Sequence, residues 1–245
     1  MARRGLMVMV FALFCSFVQA GEAGTAPSVI HLASEDWEDY TAADGHGLGW
    51  DVLRKVFEPA GVKLDIRTEP YVRSMGLAER GEVDACVGSY RDESQSLLYP
   101  RWNFDTDHIY ALGLASSPVP TLETLGNYRL AWVRGYDYQD YLPNVRRYNE
   151  VLRRTGIVSM LTQNRADFYI DALTEVDDVL NRAKDPSQLR RTHIAELPLY
   201  LCFAKTDKAR TLMALFDQRM EVLVKSGELK PIFERWKQPY PFDME

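Results

Sequence analysis

Cysteine, histidine and long apolar stretches are scarce in this chain of 245 residues. It has three cysteines and four histidines, with no CxxC pair and no closely spaced His/Cys cluster, so we expect no structural zinc site. Acidic side chains outnumber basic ones by 35 to 29, and this balance argues against nucleic acid as a partner. No HExxH motif, phosphate-binding loop or Ser-His-Asp spacing is present, and we expect no cofactor.

The one long apolar stretch lies at the N-terminus, where it has the three parts of a secretory signal. Arg3 and Arg4 form the positive region, residues 6–14 are apolar, and residues 18–20 (Val-Gln-Ala) provide small side chains before the expected cleavage point. The apolar run is shorter than the roughly 20 residues that a membrane span needs. We therefore predict that residues 1–20 are a cleaved signal peptide and that the mature chain, without a membrane span, works in the periplasm.

Two cysteines, Cys86 and Cys202, remain after this cleavage, and each sits in an apolar stretch. An exported protein can join such a pair in a disulfide. Buried cysteines also persist as free thiols that pack like small apolar side chains. The sequence leaves both states open and favours the free thiols.

Short strands and amphipathic helices alternate in both halves of the chain. The first half predicts strands at 29–33, 62–67 and 83–88 with helices at 49–57 and 70–80. The second half predicts strands at 128–133 and 167–170, extended runs at 145–151 and 197–204, and helices at 152–163, 174–183, 208–224 and 229–236. This alternation predicts an α/β protein in which each half is a mostly parallel sheet with flanking helices.

Residues 115–118 (Ala-Ser-Ser-Pro) have the composition of a linker and divide the chain into two lobes. We assign residues 27–114 and about 200–245 to lobe 1, and residues 115–199 to lobe 2. In α/β folds, ligands bind at the carboxyl ends of the parallel strands. We therefore expect a site between the lobes, formed by the loops that follow the strands.

Six short motifs follow one another in the order seen in a known protein family. They are Asp44-Gly45 with Gly49-Trp50-Asp51, residues 80–85, residues 120–126, Val133-Arg134-Gly135, residues 164–167, and residues 226–236. In this order they resemble the bacterial extracellular solute-binding proteins of family 3, the polar amino-acid type. The resemblance implies a two-lobed, type II periplasmic-binding-protein fold. It also implies a monomer that closes over a small polar solute such as an amino acid and docks on an inner-membrane ABC permease.

The resemblance also implies groups that hold the solute. Family members place an arginine after the third strand of lobe 1 and an aspartate in lobe 2. The nearest residues here are Arg91 and Asp171, each displaced from the family spacing. Arg73 begins the helix after the second strand and is a further candidate for a carboxylate, with a surface pair to a nearby glutamate as the alternative. Gly135 could offer backbone N–H groups at close approach.

Aromatic side chains are concentrated in the loops of the predicted cleft, where their faces can surround an apolar, planar or cationic part of a ligand. Trp37 and Tyr40 follow the first strand, and the other candidates are Tyr71, Tyr90 and Tyr136. The tryptophans that we expect in the core are Trp50, Trp132 and Trp236.

Two other functions fit the same fold. One is a sensor that signals its closure to a membrane partner. The other is an enzyme, because cyclohexadienyl dehydratases resemble this family as well. Such chemistry needs a positioned acid or base in the cleft. The acidic residues that follow the first strand could provide it: Glu35, Asp36, Glu38 and Asp39.

Overall fold

A computed structural model of the protein describes residues 27–243, so the predicted signal peptide lies outside the described residues. The described part contains eight strands. They are β1 (Val29–Ser34), β2 (Lys63–Thr68), β3 (Ala85–Ser89), β4 (Asp105–Leu114), β5 (Arg129–Val133), β6 (Arg147–Val151), β7 (Phe168–Ala172) and β8 (Leu189–Phe203). Their order in space is β2-β1-β3-β8-β4-β7-β5-β6, so that β8 links a first sheet to a second.

Each sheet combines parallel and antiparallel strands. In the first, β1 runs parallel to β2 and β3, and β8 lies antiparallel beside β3. In the second, β5 runs parallel to β6 and β7, and β4 lies antiparallel to both β7 and β8. The predicted two-lobed α/β fold is confirmed. The antiparallel strand β4 has no counterpart among the predicted elements, and β8 begins eight residues before the extended run predicted at 197–204.

The strands β4 and β8 connect the two lobes. Residues 189–199 of β8 pair with β4, and residues 200–203 pair with β3. At about 3.3 Å per residue, the 15 residues of β8 can span about 50 Å, which is enough to serve both sheets. Residues 105–114, which the sequence division assigns to lobe 1, pair along their length in the second sheet.

Within residues 27–243, six α-helices cover the sheets. They are α1 (Leu48–Phe57), α2 (Tyr71–Glu79), α3 (Ile157–Thr162), α4 (Leu173–Asn181), α5 (Asp207–Ser226) and α6 (Lys230–Trp236). The helix predicted at 152–163 is shorter than expected, because a 3-10 turn, Arg154–Gly156, precedes α3. Thr206 caps α5 by accepting a hydrogen bond from the N–H of Ala209, and Gly227 ends it with a left-handed φ of 72°.

The main core lies between α1, α5 and the first sheet, and it continues into the second sheet. Phe57 of α1 packs against Phe216 of α5 with ring centroids 6.1 Å apart. Trp50 and Trp132 are fully buried, as predicted for core residues. Trp236 is only partly buried, and its indole N–H donates to a carboxylate oxygen of Asp51 at 2.8 Å.

Cys86 and Cys202 are joined in a disulfide. The two residues lie directly opposite each other on the antiparallel pair of β3 and β8, with Cα atoms 5.0 Å apart. This separation lies in the usual range for a disulfide. The expectation of two free thiols is therefore wrong, because the unpredicted pairing of β3 with β8 brings residues 116 positions apart into contact.

Candidate functional site

A cavity of about 700 Å³, counting its open mouth, lies between the two lobes. Residues that follow β1, β2 and β3 line it from the first lobe, and residues of β4, β7 and the start of α4 line it from the second. The lining comprises Trp37, Tyr40, Leu48, Tyr71, Gly88, Tyr90, Glu93, Asp105, Thr106, Asp107, His108, Tyr136, Tyr138, Asp171, Ala172, Leu173, Thr174, Glu175, Leu199 and Gln238. The cavity therefore lies where the sequence predicted the site, at the strand ends of both sheets.

One aromatic wall of the cavity is formed by Trp37 and the rings around it. The Trp37 ring lies 6.0 Å from the ring of Tyr71 and 6.4 Å from that of Tyr40. A Cβ atom on Gly88 would lie 2.8 Å from the Trp37 ring, so the missing side chain at Gly88 makes room for the indole. Gly88 also has a φ of 88°, which favours glycine.

Aromatic residues also join the lobes across the cavity. The indole N–H of Trp37 donates to the hydroxyl oxygen of Tyr136 at 2.9 Å. The rings of Tyr71 and Tyr136 meet edge to face at 6.0 Å, and Tyr90 packs against Tyr141 at 4.6 Å. These contacts link loops of the first lobe to the loop after β5, so the structure shows a closed arrangement.

Carboxyl groups line the floor of the cavity on β4. Asp105 accepts hydrogen bonds from the hydroxyl of Tyr40 at 2.9 Å and from the N–H of Thr106 at 2.7 Å. Burial raises the pKa of Asp105 to about 7, although both hydrogen bonds oppose the shift. Asp107 accepts from the hydroxyl of Tyr90 at 2.9 Å, and desolvation together with the nearby charge of Glu175 raises its pKa well above the usual value.

Two glutamates add to this acidic lining. Glu175, in the first turn of α4, is buried, and its burial and the neighbouring Asp171 raise its pKa to about 7. Glu93 accepts hydrogen bonds from the hydroxyls of Tyr71 at 2.6 Å and Ser89 at 2.8 Å. Burial nevertheless raises the pKa of Glu93. Both side chains thus favour the protonated form more than an exposed glutamate does.

Arg154, which sequence analysis did not name, supports the site from outside the cavity lining. Its guanidinium Nε donates to Asp171 at 3.1 Å, and its Nη2 donates to the hydroxyl of Tyr136 at 2.7 Å. Arg154 lies shortly after the end of β6. A prediction of residues 145–151 as a parallel strand would have indicated it, because ligands bind at the carboxyl ends of such strands. Asp171 and Tyr136 stand between this arginine and the cavity, because both line the cavity and Arg154 does not.

Six of the nine ligand candidates named from the sequence line the cavity. They are Trp37, Tyr40, Tyr71, Tyr90, Tyr136 and Asp171. Asp171 is almost completely buried, and besides Arg154 it takes hydrogen bonds from the hydroxyl of Tyr169 and from the N–H of Ala172. Its charge is therefore already balanced inside the protein.

The two lobe-1 arginines lie outside the cavity, which corrects their prediction as cavity residues. The guanidinium of Arg91 donates to the carbonyls of Pro100 and Arg101 at 3.0 Å, and it stacks on the Tyr200 ring at 4.3 Å. Arg73 is 64% exposed and pairs with Glu69 at 3.2 Å. Both side chains satisfy their charge elsewhere and point away from the cavity lining.

Gly135 also lies outside the cavity lining. Its N–H is 3.4 Å from a carboxylate oxygen of Glu150, so this donor is directed toward β6. A Cβ atom at Gly135 would lie 2.4 Å from Val72 of the first lobe. The glycine therefore serves close packing of the two lobes, and its neighbour Tyr136 provides the cavity contact.

The acidic cluster after β1 does not line the cavity. A carboxylate oxygen of Glu35 accepts from the N–H of Tyr71 at 3.0 Å, and Asp36 accepts from the N–H of Ala43 at 2.9 Å. Glu38 and Asp39 border a separate depression. The acidic groups of the cavity come instead from β4, β7, α4 and the loop after β3.

Two of the four histidines, which are far apart in the sequence, come together on β4 and β8. Nδ1 of His108 lies 3.3 Å from a carboxylate oxygen of Glu196, and His193 lies on the same strand, β8, before Glu196. Donor atoms of the three side chains lie within 4.8 Å of one another. His108 also borders the cavity, so one imidazole is added to its lining.

Solved structures of binding proteins resemble this fold. A substrate-binding protein of an amino acid ABC transporter shares 18% identity over 86% of this chain and all of that chain, with a TM-score of 0.66. A histidine kinase sensor domain similar to periplasmic binding proteins shares 17% identity over 86% and 96% of the two chains, with a TM-score of 0.70.

A third structure resembles it as well. It is an ancestral amino-acid-binding protein, described as a precursor of cyclohexadienyl dehydratase, with 13% identity over 85% of this chain and 95% of that one and a TM-score of 0.64. These likenesses show the periplasmic-binding-protein-like fold. No protein-family model matches the chain, and no curated protein matches it. Among residues 27–243, no helix has the length and apolar character needed to cross a membrane.

Proposed function

We propose that this chain is a periplasmic solute-binding protein that captures a small polar solute between its lobes for an ABC-type uptake system. The observation that supports this most directly is the cavity itself, which is lined from both lobes and bridged by the Trp37–Tyr136 hydrogen bond. Solved structures of amino-acid-binding proteins share the fold. Because both lobes contribute to one lining, a solute that fills it stabilises the closed arrangement over an open one.

Closure requires the lobes to move as units about a small connection. The strand β8 is continuous between the lobes and provides that connection, with β4 paired beside its first part. Hinge motions of this kind are absorbed by a few residues near element ends. Leu199 of β8 pairs with β4, and the next residue, Tyr200, pairs with β3. We place the hinge at this change of partner strand.

The test is a binding screen of the mature chain, residues 21–245, against amino acids, oligopeptides, polyamines and organic acids. A solute at 100 times its Kd adds about 2.7 kcal/mol to the free energy of unfolding, which a thermal shift detects. Small-angle X-ray scattering then shows whether the solute makes the molecule more compact. If no small polar solute stabilises the protein, the solute-binding proposal fails.

A sensor is the second candidate, and its support is the likeness to a histidine kinase sensor domain. Uptake and sensing differ in the partner of the closed form. A permease gene beside this gene, and loss of uptake of the labelled solute on deletion, would support transport. A transcriptional response that disappears on deletion, with uptake intact, would support sensing.

An enzyme is the third candidate, and the Asp105 carboxyl is the observation in its favour. A side chain with a pKa of about 7 in a cavity can serve as general acid or base at neutral pH. The likeness to a dehydratase precursor makes prephenate the first substrate to test. Turnover of prephenate that is lost in Asp105→Asn would promote this candidate over simple binding.

A further inference from the structure

We propose that the solute is an organic cation, a small protonated amine that carries no carboxylate. This proposal rests on the proposed solute-binding function and names the class of solute. It follows from the side chains that line the cavity, whose carboxyl groups could hold an ammonium group, while no lysine or arginine among those described is available for a carboxylate.

The charges that line the cavity are of one sign. Five carboxyl groups line it, while no lysine or arginine among residues 27–243 does. The ion pair of Asp171 with Arg154 is the only one that a lining carboxylate makes within the described chain. The other four lining carboxyl groups accept hydrogen bonds only from hydroxyl and backbone N–H groups. They are Glu93, Asp105, Asp107 and Glu175.

These four carboxylates have acceptor capacity left. A carboxylate offers about four acceptor positions, and one hydrogen bond, from Tyr90, reaches Asp107. Glu175 accepts from the hydroxyl of Thr174 at 2.6 Å. Burying a carboxylate without a cation costs free energy, and an ammonium group with its N–H donors offsets that cost. The cavity is thus complementary to an amine.

A solute carboxylate would find no lysine or arginine in the lining that residues 27–243 form, and burial lowers the pKa of the one lining imidazole, His108, which favours its neutral form. The arginine that the family resemblance implies for this role, Arg91, is bound to carbonyls outside the cavity. Arg154 is occupied by Asp171 and by the hydroxyl of Tyr136. A carboxylate in the cavity would lie beside several acidic groups, and like charges at short range repel. We therefore expect the cavity to bind an amine more tightly than the corresponding amino acid.

The aromatic lining favours a cation as well. The hydroxyls of Tyr40 and Tyr90 are used by Asp105 and Asp107, so these rings contribute π surface and not further donors. Trp37 and Tyr71 add two more rings at 6.0 Å from each other. Aromatic faces attract cations within about 6 Å, and tryptophan does so most strongly.

The pH dependence of binding follows from Asp105 and Glu175. An ammonium group favours their ionised forms, while at pH 5 both carboxyls are largely protonated because each pKa is about 7. Asp107 and Asp171 face them with like charge, and Arg154 faces them with opposite charge. The lining imidazole of His108 has a pKa that burial lowers. Primary amines stay protonated to about pH 10. Affinity for an amine should therefore rise from pH 5 to pH 8, with proton release on binding.

The test compares amino acids with their decarboxylated counterparts by isothermal titration calorimetry. Arginine is paired with agmatine, and lysine with cadaverine, so that the members of a pair differ only in the carboxylate. We expect the amine of at least one pair to bind at least tenfold more tightly than its amino acid, and more tightly at pH 8 than at pH 5. Putrescine and spermidine extend the series.

A variant tests the acidic lining directly. Asp107→Asn keeps the shape and removes one charge, so the affinity for the amine should fall about tenfold, the size expected for one charged hydrogen bond. The apo protein should not lose thermal stability, because a buried charge without a cation is removed. The matched control is Asp65→Asn, since Asp65 is exposed and pairs with His31 away from the cavity.

The outcomes separate this proposal from the proposed function. If arginine or lysine binds as tightly as its amine, or if the solute is an anion, the cation proposal is overturned while solute binding stands. Binding of choline without binding of any N–H amine would also overturn it. If amines, amino acids and organic acids all fail to bind or to compact the protein, the solute-binding function itself fails.

Discussion

Gly88 shows how a single residue shapes the cavity. It lies in β3 with a φ of 88°, and a Cβ atom there would lie 2.8 Å from two atoms of the Trp37 ring. Alanine at this position would have to adopt a left-handed backbone and displace the indole. Since Trp37 also donates the hydrogen bond to Tyr136, its displacement would affect the contact between the lobes.

We predict that Gly88→Ala weakens solute binding by about tenfold and lowers the free energy of unfolding by about 1–3 kcal/mol. The control is Gly61→Ala, because Gly61 has a φ of 79° but nothing within 4 Å of a Cβ atom. That control carries the backbone strain without the contact with Trp37. Denaturant unfolding and calorimetry measure both effects. Equal binding by the two variants would show that the Trp37–Gly88 contact does not shape the site.

Single residues also show what a sequence can reveal about a site. The aromatic candidates line the cavity because they follow strands, and strand ends can be found from local pattern alone. Arg91 was chosen by its order after a motif, but its direction depends on the carbonyls of Pro100 and Arg101, which no local pattern reveals. Asp105 and Asp107 were missed because they lie on β4, a strand that was not predicted.

At the level of elements, β8 determines how the lobes connect. Of its first ten residues only Leu189 and Ile194 are buried, whereas its last five are all buried. The buried segment lies in the first sheet beside β3, where the disulfide between Cys86 and Cys202 fastens it. The disulfide therefore holds the connecting strand to one lobe and leaves the other segment paired with β4.

We predict that the protein purified from an oxidising compartment contains no free thiol among residues 21–245, as measured by thiol titration after denaturation. Removing the disulfide with Cys86→Ala and Cys202→Ala should cost about 2–4 kcal/mol of unfolding free energy, since the bond closes a long loop. Reduction of the wild-type protein should give a similar loss. Two titratable thiols in the exported protein would contradict the disulfide.

The parallel strands of both sheets were predictable, because each follows or precedes a helix in a repeating β-α-β pattern. The antiparallel strands were not, because β4 finds its partner β8 about 80 residues later in the sequence. Charged residues at exposed positions of β8, among them Arg191 and Glu196, also weaken its apolar pattern. The disulfide between Cys86 and Cys202 could not be predicted either, because it depends on the antiparallel pairing of β3 with β8, which are far apart in the sequence.

Direct contacts between the lobes hold the whole molecule in its closed arrangement. The Trp37–Tyr136 hydrogen bond is one, and an ion pair of Glu38 with Arg182 at 3.9 Å is another. Both side chains of the Glu38–Arg182 ion pair are exposed to solvent, so this pair contributes little free energy to closure. A solute that fills the cavity between the lobes would add to the free energy that favours the closed arrangement over an open one.

We predict that Tyr136→Phe shifts the protein toward an open arrangement. The hydroxyl of Tyr136 accepts from both Trp37 and Arg154, and each such hydrogen bond contributes about 0.5–1.5 kcal/mol, or more where the donor is charged. Without a solute, small-angle scattering should give a larger radius of gyration, and affinity should fall about 5–30-fold. Tyr148→Phe is the control, because that side chain is exposed and stacks on Trp132 away from the cavity. An unchanged radius and affinity in Tyr136→Phe would mean that closure depends on other contacts.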